Sequence, residues 1–309
     1  MTLENTITKL KGLQSNEYEH PLDKKYLDIL EKIPGLGMLS KKWIEWGSER
    51  VMRVQNAGSY LQITEENMPE IYHCLREASE ILDIGEVPDF FVDWGHSVNA
   101  YTSGVEKPFI NIISGCIDLL DRKELMFVLG HELGHIKSGH ILYHIMADFF
   151  PTIVDNLSQI TFGIAGIAGT GIQAALYEWY RMAEFTADRA GFLACQDREA
   201  GMRTLIKLAG LPLKYKNANF EKSFMKQARA FEELDEETIT KSVKLLTTFD
   251  QSHPWTVMRG SEYLKWHDSG EYDAIMNRNR QKLYCSKCGN ENISTDRFCS
   301  NCGFNIQGN

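Results

Sequence analysis

Residues 131 to 135 read His-Glu-Leu-Gly-His. Two histidines four apart on a helix share a face and can hold one Zn²⁺ through their imidazoles. Between them, Glu132 sits beside such an ion without ligating it, the disposition of an acid that takes a proton from a zinc-bound water. A bare motif of this kind arises by chance at the level of ~1% in a chain this long, so its surroundings must agree. Asp121 and Glu124 have the spacing of a helix N-cap and capping box. Leu125, Leu129, Leu133 and Ile136 then recur at helical spacing and predict a buried stripe, with Phe127, His131 and His135 on the adjacent one. Gly130 and Gly134 each weaken a helix by about 1 kcal/mol relative to alanine, which points to a close neighbour along it.

Two histidines need a third protein ligand. A third histidine six residues after His135, with glycine three after it, is ruled out because Ile141 and Ser138 stand there. Asp155 lies about where a distant acidic ligand would fall, without an acidic partner one helical turn on. The segment Arg181 to Gly191 is better supplied: Glu184 and Asp188 are four apart on one helical face. Glu184 is the expected third ligand, with Asp188 accepting the second N–H of a ligand histidine and fixing its tautomer. His140 and His144 read as structural, at most supporting the ligands, and His144 is expected to drift off the metal face. Tyr101 and Tyr180 each carry a phenol suited to an oxyanion, and nothing in the sequence selects between them.

Taken in order, five pieces resemble the zinc peptidases that include the heat-shock protease HtpX and the CAAX prenyl endopeptidases. Asn99-Ala100-Tyr101-Thr102 stands where that family has an edge strand, and Pro108 to Ser114 forms the next strand. The HELGH helix and the Glu184…Asp188 segment follow, and His253-Pro254 with Arg259 resembles a late element of the family. The resemblance spans roughly Glu65 to Trp266. It implies a zinc metalloendopeptidase with Glu132 as general base and His131, His135 and Glu184 holding the catalytic zinc. It further implies His253 as a catalytic donor to the oxyanion, Arg259 orienting a site carboxylate or binding substrate, and Asn99 binding a peptide laid along the edge strand.

Cys285-Ser-Lys-Cys288-Gly289 is echoed by Cys299-Ser-Asn-Cys302-Gly303. Two such knuckles are the pattern of a zinc ribbon, four thiolates closing a tetrahedral structural site. So short a segment builds little core, and metal binding must supply most of its folding energy. Residues 271 to 309 hold five basic and four acidic side chains in a chain of net charge -9, which is no footprint for nucleic acid. A protein-docking role for the ribbon is expected instead.

These motifs need elements to position them, and 309 residues with 43% hydrophobic content can bury a substantial core. Residues 1–60 read as a helical segment broken near Pro34-Gly35, 61–268 as the peptidase domain, 269–284 as linker and 285–309 as ribbon. Glu65 to Ile84 reads as an amphipathic helix, and Phe90 to Trp94, Asn99 to Ser103 and Phe109 to Ile113 as short strands. The expectation is an α+β, mostly helical, zincin-like fold with a small sheet against the metal helix. Residues 156–177 carry no charge, but one span there would put His135 and Glu184 on opposite sides of a bilayer. A buried or cleft-capping helical hairpin is expected, with peripheral membrane contact at most. The scattered odd cysteines and the absence of a leader-like start point to a reducing setting, cytoplasmic or peripheral to the inner face of a membrane, and not secreted. The competing reading is a catalytically silent, client-binding protein, which would have no need of an acid at Glu132.

Overall fold

A computed structural model describes residues 7–33, 36, 48–160, 164–215, 219–233, 255–277, 282–293 and 298–306. The chain runs through α1 (Pro21–Glu31), α2 (Ser48–Ser59), β1 (Leu61–Gln62) and α3 (Pro69–Ile81) into β2 (Asp89–Asp93), β3 (Ala100–Ser103) and β4 (Phe109–Ile113). Helices α4 (Ser114–Leu119), α5 (Arg122–Lys137), α6 (Ile141–Ile160) and α7 (Ile164–Cys195) follow. After them come α8 (Arg198–Leu208), α9 (Glu221–Glu233), α10 (Thr256–Asp268), α11 (Glu271–Met276), and strands β5 (Lys282–Tyr284) and β6 (Glu291–Ile293). The fold is mostly helical with one small sheet and a cysteine-bearing hairpin, as the sequence leads one to expect.

The sheet has the order β1-β2-β4-β3. β4 is buried at all five positions, and its apolar run suits a strand covered on both faces. It pairs parallel with β2 and antiparallel with β3, so β3 forms the edge. The two-residue β1, antiparallel to β2, is too short to leave an alternation in the sequence.

Helix α5 begins as expected. Asp121 Oδ1 accepts from Lys123 and Glu124 N–H at 2.9 and 3.0 Å, and Glu124 Oε2 accepts from Asp121 N–H at 2.8 Å. Glu124 is fully buried and also accepts from Lys207 Nζ at 2.6 Å and Arg203 Nε at 3.2 Å, pinning the start of α5 to α8. The one-sided stripe needs correction. Every residue from Glu124 to His135 is buried, because α5 is enclosed by α3, α7, α8 and β3 rather than lying on a surface.

The expected close neighbour of the glycines is α7. A Cβ on Gly134 would lie 2.7 Å from Ala190 Cβ and 3.2 Å from Ala187 Cα, and one on Gly130 would run into Ala194 Cβ. Gly191 meets Phe127 with the same intimacy, a Cβ there falling 2.8 Å from its carbonyl oxygen. The small residues let the backbones of α5 and α7 approach closely enough for side chains of both to meet at one point.

Helices α6 and α7 form a hairpin packed through Met146, Ala147, Phe150, Leu176, Trp179 and Ala183, joined by Leu30 of α1 and by Leu36. Among the described residues no helix is long and apolar enough to cross a membrane. The N-terminal segment joins the main core: Leu10, Leu13 and Tyr18 are fully buried beside α3, α5 and α7 residues.

Candidate active site

Three ligand atoms converge where α5 faces α7. His131 Nε2 lies 3.1 Å from His135 Nε2 and 3.3 Å from Glu184 Oε2, and His135 Nε2 lies 3.3 Å from Glu184 Oε1. Two ligands of a tetrahedral zinc, each bound at about 2.0–2.1 Å, are separated by about 3.3 Å. The donor set fits that ion. All three residues are buried, as an enclosed metal site requires.

The electrostatics point the same way. Glu132, Glu184 and Asp188 are buried carboxylates, and the buried guanidinium of Arg259 pairs with Asp188 and lies 4.0 Å from Glu184. Burial opposes charge on His131, yet Glu184 and Asp188 outweigh it and push the imidazole up to about 10. Burial, reinforced by His131 and His140, takes His135 down to about 4. A divalent metal bound there would offset this excess of buried negative charge.

Each of the two histidines has its other nitrogen occupied. His131 Nδ1 is 3.0 Å from Asp188 Oδ1, which fixes the tautomer that leaves Nε2 bare. Asp188 in turn accepts from Arg259 Nε at 2.8 Å and Nη2 at 2.5 Å, a bidentate pair that holds its carboxyl below the usual range against burial. His135 Nδ1 is 3.0 Å from His140 Nδ1, and His140 Nε2 is 3.1 Å from Asp23 Oδ2. His144, expected to drift away, is buried; its ring lies 4.7 Å from that of His135 and stacks on Tyr180 at 3.7 Å. The turn after α5 brings it back: Gly139 adopts φ +71°, and α6 returns across the metal face.

Glu132 is aimed by the edge strand. Thr102 Oγ donates to Glu132 Oε2 at 2.6 Å. Beside them a cavity of about 360 Å³ is lined by Asn99, Ala100, His131, Glu132, Thr256 and Arg259, among others. Asn99 Oδ1 accepts from the N–H of Ala100 at 3.0 Å, and its carbonyl accepts from Ile113 N–H at 2.9 Å. Tyr101 is bonded to Tyr60 and Asn111, engaged within the sheet region. Tyr180 stands one turn before Glu184, with its phenol pushed well above its ordinary range by burial and by Glu184, Asp148 and Glu132. His253 lies outside the described residues, and Asp155 falls on α6 where side chains are not described. The roles of Thr102 and Asp23 escape a reading of the sequence, whereas His140 takes the supporting place beside a histidine that the sequence allowed it at most. Thr102 belongs to a stretch legible only as a strand, while Asp23 precedes the motif by more than a hundred residues.

In the hairpin, Cys285 Sγ lies 3.6 Å from Cys302 Sγ, and Cys288 Sγ 3.6 Å from Cys299 Sγ. Disulfide sulfurs sit about 2.05 Å apart, whereas thiolates about 2.3 Å from a tetrahedral zinc sit about 3.8 Å apart. All four sulfurs lie within 4.8 Å of one another. Gly289 and Gly303 adopt φ +72° and +69°, and their N–H groups close the knuckles onto the Cys285 and Cys299 carbonyls at 2.8 and 2.9 Å.

Residues 67–267 match the profile of peptidase family M48, and residues 284–306 that of the zinc-ribbon domain. The chain is 33% identical over 282 residues to the chloroplastic plastoglobule-localized metallopeptidase 48 of Arabidopsis thaliana, covering 90% of this chain and 80% of that protein. It is 27% identical over 202 residues to a protease HtpX homolog of Bifidobacterium longum, covering 56% of this chain and 64% of the relative. A second HtpX homolog, from Streptococcus gordonii, is 27% identical over 101 residues, 32% of this chain and 34% of that one. No solved structure matches.

Proposed function

This chain belongs to peptidase family M48 and is a metallopeptidase, and from that premise we propose that it is an endopeptidase worked by Glu132 beside a zinc held on His131, His135 and Glu184. The observation that carries the reading is the three-way convergence of ligand atoms at 3.1–3.3 Å with Glu132 adjacent and bonded to the edge strand. A zinc ion bound there acts as Lewis acid, polarising a carbonyl and acidifying water. Glu132 takes the proton of the attacking water and returns it to the leaving amine. Thr102 holds its carboxylate toward the cavity. Asp188 and Arg259 position His131, so Arg259 serves a site carboxylate rather than the substrate.

A peptide lies along β3 by strand addition, with Asn99 at the strand's start shaping the cavity mouth. The oxyanion donor is drawn from His253, carried over from the family resemblance, and Tyr180. Burial keeps the phenol of Tyr180 protonated and able to donate. The second zinc sits on Cys285, Cys288, Cys299 and Cys302 and folds the ribbon, which docks a protein. Seven cysteines without a disulfide, four of them gathered in the ribbon, fit a reducing, cytoplasmic setting with at most peripheral membrane contact.

The reading is tested by Glu132→Gln. The variant retains both zincs by elemental analysis and loses at least 10²-fold in cleavage of an unfolded protein such as casein, the lower end of what general acid–base catalysis contributes. Turnover at the wild-type rate would remove Glu132 from the mechanism.

A further inference from the structure

Outside the matched family region, α1 carries a carboxylate that reaches the metal site. Asp23 is fully buried, with Oδ1 accepting from Trp179 Nε1 at 2.9 Å and Oδ2 from Thr186 Oγ1 at 2.6 Å. Its Oδ2 is also 3.1 Å from His140 Nε2, and His140 Nδ1 is 3.0 Å from His135 Nδ1. His140 is 2% exposed and His135 5%, so water does not complete these bonds. We propose that Asp23 is a positioning residue for the metal site, acting through His140 to set the tautomer and orientation of His135.

The proton inventory admits one pattern for an ionised carboxylate and neutral imidazoles. A carboxylate only accepts, so His140 must donate from Nε2. Its Nδ1 is then bare and must accept from His135 Nδ1–H. That leaves the lone pair of His135 on Nε2, the atom directed at His131 Nε2 and Glu184 Oε1. Trp179 and Thr186 complete the arrangement, since both donate to Asp23 and hold it as an acceptor. The two ligand histidines are therefore supported in different ways. His131 is bonded directly to Asp188, from the same helix as Glu184, whereas His135 depends on a relay that ends in a segment before the family match. A second ion on His135, His140 and His144 would take the bare Nδ1 of His140 and require His135 to surrender its Nδ1 proton.

The test is zinc affinity of the full-length protein by chelator competition, with the ribbon zinc as an internal reference. Asp23→Asn presents an amide that can donate to His140 and invert the relay. His140→Leu cuts it. His140→Gln preserves its polarity, with the amide N–H₂ facing Asp23 and the oxygen facing His135. Asp23→Asn and His140→Leu are expected to bind the active-site zinc about 10–100-fold more weakly, with the ribbon zinc unchanged and His140→Gln nearer to wild type.

Active-site affinity within about twofold of wild type in folded Asp23→Asn or His140→Leu would overturn the proposal. So would equal weakening at both zincs, or a third zinc per chain. Should Asp23→Asn fail to fold, His140→Leu against His140→Gln carries the test. The inference rests on His135 being a zinc ligand, and the two fail differently. A wild-type chain binding only the ribbon zinc defeats that reading, whereas a wild-type chain binding both, with indifferent variants, defeats only the relay.

Discussion

Arg259 commits Nε and Nη2 to Asp188, with both residues buried. Removing one member of such a pair strands the other charge, and the loss is typically about 3–5 kcal/mol. Arg259→Met is therefore expected to lower unfolding free energy by about that amount, measured by denaturant titration. Arg259→Lys, which restores the charge but not the two-pronged fit, should lose less. Equal stability of Arg259→Met and wild type would show that the pair is not needed. The spacing of His131, Glu132 and His135 is legible because metal chemistry and helix geometry impose it locally. Glu184 is legible for the same reason, as its i,i+4 partner Asp188 marks it. The positions of Thr102 and Asp23 follow from packing between distant segments and leave no local pattern.

At the scale of elements, the site is made by the approach of α5 to α7. Gly134→Ala adds about 1 kcal/mol of helix propensity, but its Cβ would meet Ala190 Cβ at 2.7 Å and Ala187 Cα at 3.2 Å. Overpacking of that kind costs about 1–3 kcal/mol, and it acts on the helix pair that brings Glu184 to the histidines. The expected outcome is net destabilisation together with weaker active-site zinc, read by thermal unfolding and metal retention. A stabilised variant with full zinc would mean that α7 yields without disturbing Glu184. Both glycines advertise a close neighbour in the sequence but not which one. The strands are legible as apolar runs. Their order is not, because the parallel pairing of β2 with β4 joins segments separated by β3.

For the whole molecule, distant stretches of chain meet at one candidate site: α1 through Asp23, β3 through Thr102, the α5–α7 pair through His131, His135 and Glu184, and α10 through Arg259. The ribbon gathers four thiols, a donor set chemically distinct from the two histidines and glutamate of the candidate active site. The direct measurement is zinc per chain by elemental analysis of the wild type, Glu184→Ala and the double variant Cys288→Ser with Cys299→Ser. The expected values are two zincs in the wild type and one in each variant, with peptide cleavage lost only in Glu184→Ala. A wild type holding one zinc that Glu184→Ala retains and the cysteine variant loses would contradict the assignment of His131, His135 and Glu184 as a zinc centre.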